Sequence, residues 1–341
     1  MSRSGARRRR GHGEHKGVGK DYKVEAILND AFVDGVQFYE IKWKGYPDSH
    51  NNWVTEWDLG CPEILAEYNR TRTQNTADVG QFYKILKAAA EHHPITVRNT
   101  VDQVGYPEDF EYINESVYSD EVPRPCSPMF PCECKDRCTA DCPCIRERYY
   151  DKDGRVQVEA GTALMECGPK CGCGKDCSTR VVQQGSGVKF EIRRFAHKGW
   201  GVVTRAAIAR GTFIGEYVGE LISFEEAEER GLADSAMGLT YLFDVDMACT
   251  GGEVADFSID AKMQGNITHF FNHSCQPNMV THPVYVEHRD PRLHRMAFFA
   301  ACDIPAGEEL AFDYSPAGSD GGGARFDCFC GAPSCRGSIF L

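Results

Sequence analysis

Long apolar runs are absent from this 341-residue sequence. No apolar run approaches the ~20 residues that a membrane-spanning helix needs, so we expect no membrane partner. The arginine-rich amino terminus has no apolar segment behind it, and we therefore expect no secretory signal. Without a secretory signal we expect the chain to stay in a reducing compartment, where disulfides are rare. The 17 cysteines therefore favour metal ligation over a disulfide framework.

Acidic and basic residues are unevenly distributed along the chain. The formal net charge is −12, yet residues 1–20 contain seven Lys or Arg and one Glu, a net of +6. The remaining residues therefore carry −18, which suits a basic substrate. Residues 1–20 are poor in apolar side chains and are predicted to be a disordered basic tail. This tail could act as a nuclear import signal, contact nucleic acid, or remain simply solvated.

Residues 21–74 predict a small module of three strands and a closing helix. Alternating apolar and polar residues indicate the strands, and Asp34-Gly35 is a turn signal between the first two. A short amphipathic helix follows, with Pro62 in its first turn. Residues 75–93 are polar and only weakly helical in pattern, and they are predicted to be a linker. The strands are predicted at 22–28, 37–44 and 52–54.

Nine cysteines in residues 94–180 fall into two clusters of similar spacing. Five lie within thirteen residues and four follow after a gap, and both clusters contain a Cys-x-Cys pair. An odd number cannot be fully paired into disulfides. Zinc prefers four thiolates, so three zinc ions need twelve ligand positions, which nine cysteines supply when three of them bridge two metals each. The nine are Cys132, Cys134, Cys138, Cys142, Cys144, Cys167, Cys171, Cys173 and Cys177.

Residues 265–278 concentrate polar and aromatic side chains around Asn272, His273 and Cys275. Taken alone, Cys275 would be interpreted as a buried apolar thiol. Three cysteines near the end of the chain lack a fourth partner, however, and Cys275 completes their set as a second kind of zinc site. The three are Cys328, Cys330 and Cys335.

Downstream of residue 188 the sequence predicts a mainly β fold. One helix is evident, from Ser223 to Arg230, with Ser223 as its N-cap and Glu226 completing a capping box. Many short strands and few helices favour a compact β domain. The clearest strand patterns lie at 198–203, 213–220, 241–246 and 296–300.

The order of short motifs after residue 188 resembles a SET domain, the catalytic domain of lysine methyltransferases. The nine clustered cysteines resemble the three-zinc pre-SET element, and the terminal cysteines resemble the post-SET element. The first module resembles a chromodomain through the segments YKVEAIL, YEIKWKGYP and NNW. The SET-like motifs are GWG (199–201), EYVGE (216–220), YLFD (241–244), NHSCQPN (272–278) and GEELAFDY (307–314).

Together these elements resemble the Su(var)3-9 group of histone H3 methyltransferases, whose fungal members share the arrangement. The resemblance implies a chromodomain with a three-stranded sheet and a C-terminal helix. It also implies a SET β fold in which the NHSC segment and the C-terminal segment cross in a pseudoknot. Residues 94–125 resemble the lead-in to pre-SET, the alternative being an extended surface segment. The implied boundaries are 1–20 (basic tail), 21–74 (chromodomain), 75–93 (linker), 94–180 (pre-SET), 188–316 (SET) and 317–341 (post-SET).

The resemblance further implies roles for individual residues. Tyr314 is expected to be the catalytic tyrosine, Tyr241 to help form the lysine channel, and Phe312 to leave room for di- and trimethylation. An aromatic cage for methylated lysine is expected in the chromodomain, because aromatic faces bind such cations; the alternative is that these residues are core aromatics. The cage residues are Tyr22, Trp43 and Tyr46. The residues expected to contact S-adenosylmethionine are Gly199, Trp200, Gly201, Tyr241, Asn272 and His273.

These resemblances predict an enzyme that methylates the ninth-position lysine of histone H3 in nuclear heterochromatin, where it would serve gene silencing. The expected cofactors are S-adenosylmethionine and four zinc ions, three in pre-SET and one at post-SET. The expected partners are the histone H3 tail of the nucleosome and methylated histone H3, the latter through the chromodomain. An alternative is a methyl-lysine reader with an inactive, zinc-stabilised scaffold.

Overall fold

The chain forms two compact units, Met1–Thr71 and Arg72–Leu341, in a computed structural model. Within the described ranges, no helix has the length and apolar character needed to cross a bilayer. The residues described are 23–33, 36–47, 50–55, 58–89, 95–102, 104–105, 107, 109–125, 130–139, 141–145, 148–235, 241–245, 256–314 and 325–340.

The first unit contains one antiparallel sheet in the order β1-β2-β3. Its strands bury Ile27, Tyr39 and Ile41, as the alternating pattern predicts. The first helix begins at Pro62, where a proline costs no hydrogen bond, and Tyr68 packs edge-on against Tyr39 at 6.0 Å. The predicted three-strand module with a closing helix is therefore confirmed. The elements are β1 (Val24–Val33), β2 (Val36–Trp43), β3 (Asn52–Thr55) and α1 (Pro62–Ala89).

Helix α1 is much longer than the sequence predicts, and the predicted linker at 75–93 is wrong for residues 75–89. Phe82 and Leu86, four residues apart on one helix face, are fully buried in the core of the second unit. Phe82 packs against Trp200 at 5.4 Å and Phe270 at 5.8 Å. Local polarity hides this helix because tertiary packing, not propensity, supplies most of a helix's stability.

The second unit is built mainly from short strands, as predicted. Its main sheets have the orders β10-β17-β16-β7, β12-β13-β11-β6 and β15-β18-β9-β8-β4. The strands before α2 are β4 (Thr96–Arg98), β5 (Glu111–Tyr112), β6 (Val117–Tyr118), β7 (Leu164–Met165), β8 (Phe190–Phe195), β9 (Gly199–Thr204), β10 (Phe213–Tyr217) and β11 (Glu220–Ser223). Those after it are β12 (Leu242–Asp244), β13 (Phe257–Asp260), β14 (Gln264–Gly265), β15 (Asn272–His273), β16 (Met279–Tyr285), β17 (Arg295–Ala300), β18 (Glu309–Phe312), β19 (Arg325–Asp327) and β20 (Ser338–Phe340).

Helix α2 (Phe224–Ser235) begins where its predicted cap lies. The Glu226 backbone N–H donates to Ser223 Oγ at 3.4 Å, which satisfies one of the orphan amides of the first turn. The Glu226 carboxylate pairs with Arg230 four residues along, at 2.5 Å. The carboxylate is therefore engaged in an ion pair along the helix.

The NHSC segment and the C-terminal segment lie side by side, as the pseudoknot prediction requires. Strand β15 pairs in parallel with β18, and the Ser274 N–H donates to the Phe312 carbonyl at 2.9 Å. The Asn278 side chain extends the junction, because it donates to the Glu309 carbonyl and accepts from the Ala311 N–H. This pairing places the His273 segment directly beside the strand that leads to Tyr314.

The stretch 94–125 contributes to the core of this unit rather than only leading into it. Strand β4 pairs with β8 and β6 pairs with β11, both in parallel. Ile95, Phe110 and Val122 are buried. The alternative of an extended surface segment is therefore wrong.

Truncating Phe82 tests whether the second half of α1 belongs to this core. Phe82→Ala should lower the free energy of unfolding by about 3–5 kcal/mol, because it leaves a large cavity in a packed interior. Urea denaturation monitored by circular dichroism measures the change. Lys84→Ala, at an exposed position of the same helix, is the matched control and should have little effect. A loss below about 1 kcal/mol for Phe82→Ala would contradict this packing.

Candidate functional site

One cavity of about 420 Å³ collects segments that are far apart in the sequence. Its volume lies in the range of small-molecule and cofactor sites. One wall comes from the β8–β9 turn, a second from residues 269–273, and a third from the carboxyl-terminal segment. The lining residues include Pro107, Lys198, Gly199, Trp200, Tyr241, Asn272, His273, Tyr314, Phe326, Phe329 and Ile339.

The Gly-Trp-Gly motif needs both glycines for steric reasons. Gly199 has a φ of 76°, which L side chains rarely adopt. A Cβ on Gly201 would lie 2.5 Å from Asn272 Nδ2, 2.7 Å from the Phe195 ring and 2.8 Å from Glu309 Oε1. The second glycine therefore allows Asn272 and Glu309 to approach the strand closely.

Two side chains of the NHSC segment are fixed by hydrogen bonds around the cavity. Asn272 Nδ2 donates to the Trp200 carbonyl at 3.2 Å and to Glu309 Oε1 at 2.9 Å. His273 Nδ1 accepts from the Tyr314 N–H at 3.2 Å. The other ring nitrogen, Nε2, lies 3.3 Å from Cys275 Sγ and 3.4 Å from Arg336 Nη2. His273 thus connects the cavity to the terminal cysteines.

Two of the three predicted catalytic aromatics, Tyr241 and Tyr314, line the cavity, and the third, Phe312, packs beside Tyr314. Tyr314 Oη donates to the Phe271 carbonyl at 2.6 Å, and its ring lies 4.8 Å from that of Phe312. Burial raises the pKa of Tyr314 above its ordinary value. Burial likewise raises the pKa of Tyr241. Both phenols are therefore protonated at neutral pH and can donate hydrogen bonds.

His269 and Phe110 support Tyr241, a role that sequence reasoning missed. The His269 ring stacks on the Tyr241 ring, with centroids 4.5 Å apart and an interplanar angle of 1°. The Phe110 ring packs against the His269 ring, with centroids 4.2 Å apart. His269 Nδ1 hydrogen-bonds the Ala261 carbonyl at 2.7 Å. Burial lowers the pKa of His269 to about 4, so the stacked ring is neutral at physiological pH. Nothing local in the sequence around Phe110 signals this contact.

Four cysteines predicted to hold one zinc ion converge beside this cavity. Their sulfur atoms all lie within 4.8 Å of one another, and those of Cys275 and Cys328 are 3.7 Å apart. Tetrahedral zinc–thiolate bonds of about 2.3 Å require sulfur separations of about 3.8 Å. The four thiols therefore fit a structural zinc ion. They are Cys275, Cys328, Cys330 and Cys335.

The nine clustered cysteines also fit zinc, and their positions indicate which ones bridge. Cys132 belongs to three four-thiol groups, whereas Cys138 and Cys167 each belong to two. Cys138 Sγ lies 3.4 Å from Cys167 Sγ and 3.6 Å from Cys132 Sγ, so these three are central. The groups are Cys132/Cys144/Cys167/Cys171, Cys132/Cys134/Cys138/Cys142 and Cys132/Cys138/Cys167/Cys173. Cys177, the ninth, interacts with Cys138.

Two of the three predicted cage residues lie close together in the first unit, and Tyr22 lies outside the described residues. The Tyr46 N–H donates to the Trp43 carbonyl at 3.2 Å, and Trp43 Nε1 donates to Asn52 Oδ1 at 2.7 Å. Val24 pairs with Trp43 across the sheet. The strand that follows Tyr22 therefore runs beside Trp43, and the cage stays a prediction.

Three families match successive parts of the chain. Residues 22–71 match the Chromo (CHRromatin Organisation MOdifier) domain, residues 87–180 the Pre-SET motif and residues 199–315 the SET domain. These matches follow the order that the sequence motifs predict.

Curated relatives align over most of the chain. It is 35% identical over 366 residues to the histone-lysine N-methyltransferase SUV39H2 of Mus musculus, covering 94% of this chain and 76% of the relative. It is 35% identical over 370 residues to SUV39H2 of Homo sapiens, covering 94% of this chain and 89% of the relative.

Solved structures show the same architecture. Arabidopsis thaliana SUVH6 in complex with SAM is 38% identical, with a TM-score of 0.62 over 72% of this chain and 53% of that one. KRYPTONITE in complex with mCHH DNA, H3(1-15) peptide and SAH is 28% identical, with a TM-score of 0.64 over 94% of this chain and 62% of that one. Neurospora DIM-5 is 30% identical, with a TM-score of 0.58 over 66% of this chain and 96% of that one.

The fold, the cavity and the thiol groups define a SET-domain protein methyltransferase, which uses S-adenosylmethionine and zinc. More particularly, the chain belongs to the Su(var)3-9 family of histone-lysine N-methyltransferases, with a chromodomain ahead of the catalytic unit. It is accordingly a chromatin protein of the nucleus. The enzyme hypothesis therefore prevails over that of an inactive reader.

Replacing Gly201 tests the close approach at the cavity wall. In Gly201→Ala the new methyl group must displace Asn272 and Glu309, so we expect about ten- to hundred-fold weaker binding of S-adenosylmethionine. Isothermal titration calorimetry measures the affinity. Gly187→Ala is the matched control, since a Cβ there meets nothing within 4 Å. Unchanged affinity in Gly201→Ala would contradict the steric role of this glycine.

Removing one thiol tests the coupling of zinc to activity. Cys275→Ala should lower the zinc content by one ion per chain and abolish methyl transfer, because the tail then loses its anchor beside His273. Zinc is measured by mass spectrometry and activity with radiolabelled S-adenosylmethionine. Cys302→Ala, an exposed cysteine, is the control and should retain both. Full activity with reduced zinc would refute the coupling.

Proposed function

We propose that this enzyme transfers methyl groups to the ninth-position lysine of histone H3, favours di- and trimethylation, and holds itself on marked chromatin through its chromodomain. The observation that carries the proposal is the aromatic end of the cavity, where Tyr241 and Tyr314 line the wall beside the predicted cofactor-binding residues and Phe312 packs against Tyr314. The SUV39H2 relatives support a histone substrate.

The aromatic end suits the chemical demand of lysine methylation. Bound S-adenosylmethionine supplies a methyl group on a sulfonium cation. Transfer requires a neutral amine, although free lysine has a pKa of about 10.4 and is therefore charged at neutral pH. Enclosing the amine among Tyr241, Phe312 and Tyr314 desolvates it and lowers its pKa. Orientation in this enclosure supplies much of the remaining rate enhancement.

Tyr314 is the residue that we assign to catalysis. Its hydroxyl hydrogen is given to the Phe271 carbonyl, so the phenol oxygen keeps lone pairs with which to accept from the substrate amine. This contact would hold the amine in line with the methyl group and stabilise the charge that develops on nitrogen. Asn272, His273 and the Gly199–Gly201 backbone are assigned to cofactor binding.

The strand next to Tyr241 offers a route for the substrate peptide. Strand β12 lies at the edge of its described sheet, and an extended peptide can pair with such an edge. Tyr241 immediately precedes β12 and lines the cavity. A tail paired there would bring a lysine to the aromatic end. The H3(1-15) peptide of the KRYPTONITE complex spans the ninth position of that tail.

Substrate replacement tests the target lysine. We expect transfer to an H3 tail peptide and none to the same peptide with arginine at position nine. Tyr314→Phe should strongly reduce turnover on the intact peptide. The substitution removes the hydroxyl group that donates to the Phe271 carbonyl and that we propose accepts a hydrogen bond from the substrate amine. Equal labelling of both peptides would overturn the assignment of the ninth-position lysine.

Phe312 is predicted to set the number of methyl groups added. Its ring packs against Phe298 and Tyr314, each at 4.8 Å. In Phe312→Tyr the new hydroxyl would hold a water beside the amine and crowd it, so products should shift toward monomethyl-lysine. Mass spectrometry of the peptide products measures the shift. Phe130→Tyr makes the same change at a side chain that is 92% exposed, and should leave the products unchanged.

The chromodomain is proposed to bind the enzyme's own product and keep it on methylated nucleosomes of heterochromatin. Trp43→Ala should reduce the affinity for trimethylated H3 peptide at least about ten-fold, because cation–π contacts in an enclosed cage contribute about 2 kcal/mol. Fluorescence polarisation measures the affinity. Trp53→Ala, at an exposed position on the neighbouring strand, is the control. Equal affinities for Trp43→Ala and the unaltered protein would argue for core aromatics.

Residues 1–20 are proposed to contact nucleic acid through their positive charge. The DNA-bound KRYPTONITE complex shows that a structurally similar protein binds DNA. Removing these residues should lower DNA affinity and its salt dependence, as measured by electrophoretic mobility shift.

A further inference from the structure

Arg336 joins the zinc-bound tail to the strand that ends in Tyr314. It directly follows Cys335, and its guanidinium donates to the Asp313 carboxylate at 2.6 Å. Its backbone N–H donates to Cys275 Sγ at 3.4 Å. One residue thus contacts both a proposed zinc ligand and the aspartate beside Tyr314, across 23 positions of sequence.

Asp313 is connected to the proposed catalytic group. It lies between Phe312 and Tyr314, and its carboxylate is 3.5 Å from His273 Nδ1. The same ring nitrogen accepts the Tyr314 N–H. An ion pair that holds Asp313 therefore also restrains the backbone at Tyr314, the next residue.

The tail held by this ion pair forms one wall of the cavity. Phe326, Phe329 and Ile339 line the cavity and come from the segment that Arg336 anchors. Strands β19 and β20, which carry two of these residues, pair only with each other in the described sheets. Their position against the cavity therefore depends on contacts such as those of the terminal thiols and of Arg336.

We propose that the Arg336–Asp313 ion pair is a positioning pair, which holds the zinc-bound tail against the Tyr314 strand and thereby completes the cofactor cavity. The zinc ligands bring the tail to Cys275, and the ion pair sets its orientation relative to Asp313. This inference rests on the proposed assignment of the cavity to S-adenosylmethionine.

The geometry distinguishes this ion pair from an ordinary surface one. Exposed pairs contribute little, partly because two flexible side chains must be ordered. Here the side chains are 38% and 22% exposed, and the Arg336 backbone is already fixed at Cys275. The 2.6 Å separation is that of a charge-assisted hydrogen bond.

A double-mutant cycle tests the proposal. Asp313→Asn and Arg336→Gln should each weaken binding of S-adenosylhomocysteine about ten-fold, the size expected for a charge-assisted hydrogen bond. The two losses should not add in the double variant, because both substitutions remove the Arg336–Asp313 contact; Arg336→Gln also removes the contact of Nη2 with His273 Nε2 at 3.4 Å. Calorimetry measures the affinity, and zinc content should stay unchanged in all three. Asp153→Asn, which alters a surface ion pair, is the matched control.

Hydrogen exchange of residues 325–340 in the cofactor-free protein gives a second, independent readout. Exchange should accelerate in both single variants and not in Asp153→Asn. Additive losses of affinity, loss of zinc, or unchanged exchange would overturn the positioning pair. Faster exchange with unchanged affinity would support the pair and instead overturn the assignment of the cavity to the cofactor. Arg336→Lys, which keeps the charge, should recover part of the lost affinity.

Discussion

The thiol of Cys275 lies 3.7 Å from that of Cys328, and this contact between two distant parts of the chain is the one on which the site depends. On one side it secures the segment that carries Asn272 and His273. On the other it secures the carboxyl-terminal tail, which forms a wall of the cavity. A structural zinc ion therefore shapes a site in whose chemistry it has no part, because its four thiolates leave no position for a substrate.

Close backbone packing determines the wall of the cavity at the start of β9. At Gly201 the absence of a Cβ lets Asn272 and Glu309 reach the strand, and their hydrogen bond at 2.9 Å keeps the amide in place. The parallel pairing of β15 with β18 then sets the distance between His273 and Tyr314. Contacts between neighbouring strands thus position Asn272, His273 and Tyr314, whereas Tyr241 is supported by the stacked ring of His269.

Some parts of the structure could not be predicted because the interactions that create them are long-range. The polar pattern of residues 75–89 conceals a helix that is held by Phe82 and Leu86 in a core built largely from later residues. The sandwich of Phe110, His269 and Tyr241 joins three segments that share no local motif. The four-residue spacing of Phe82 and Leu86 is a weak helical signal within a polar stretch, and the aromatic sandwich has no local signal, so packing is what reveals both features.

The sequence by itself determined the class of chemistry, the zinc-binding residue types and the small β module, because cysteine spacing, strand alternation and motif order are local properties of the chain. Tertiary structure alone decided which thiols can bridge, how far α1 extends and which residues support Tyr241. It also decided that Arg336 meets Asp313. These outcomes depend on distances between residues far apart in sequence, which are set only when the sheets pair and the core packs.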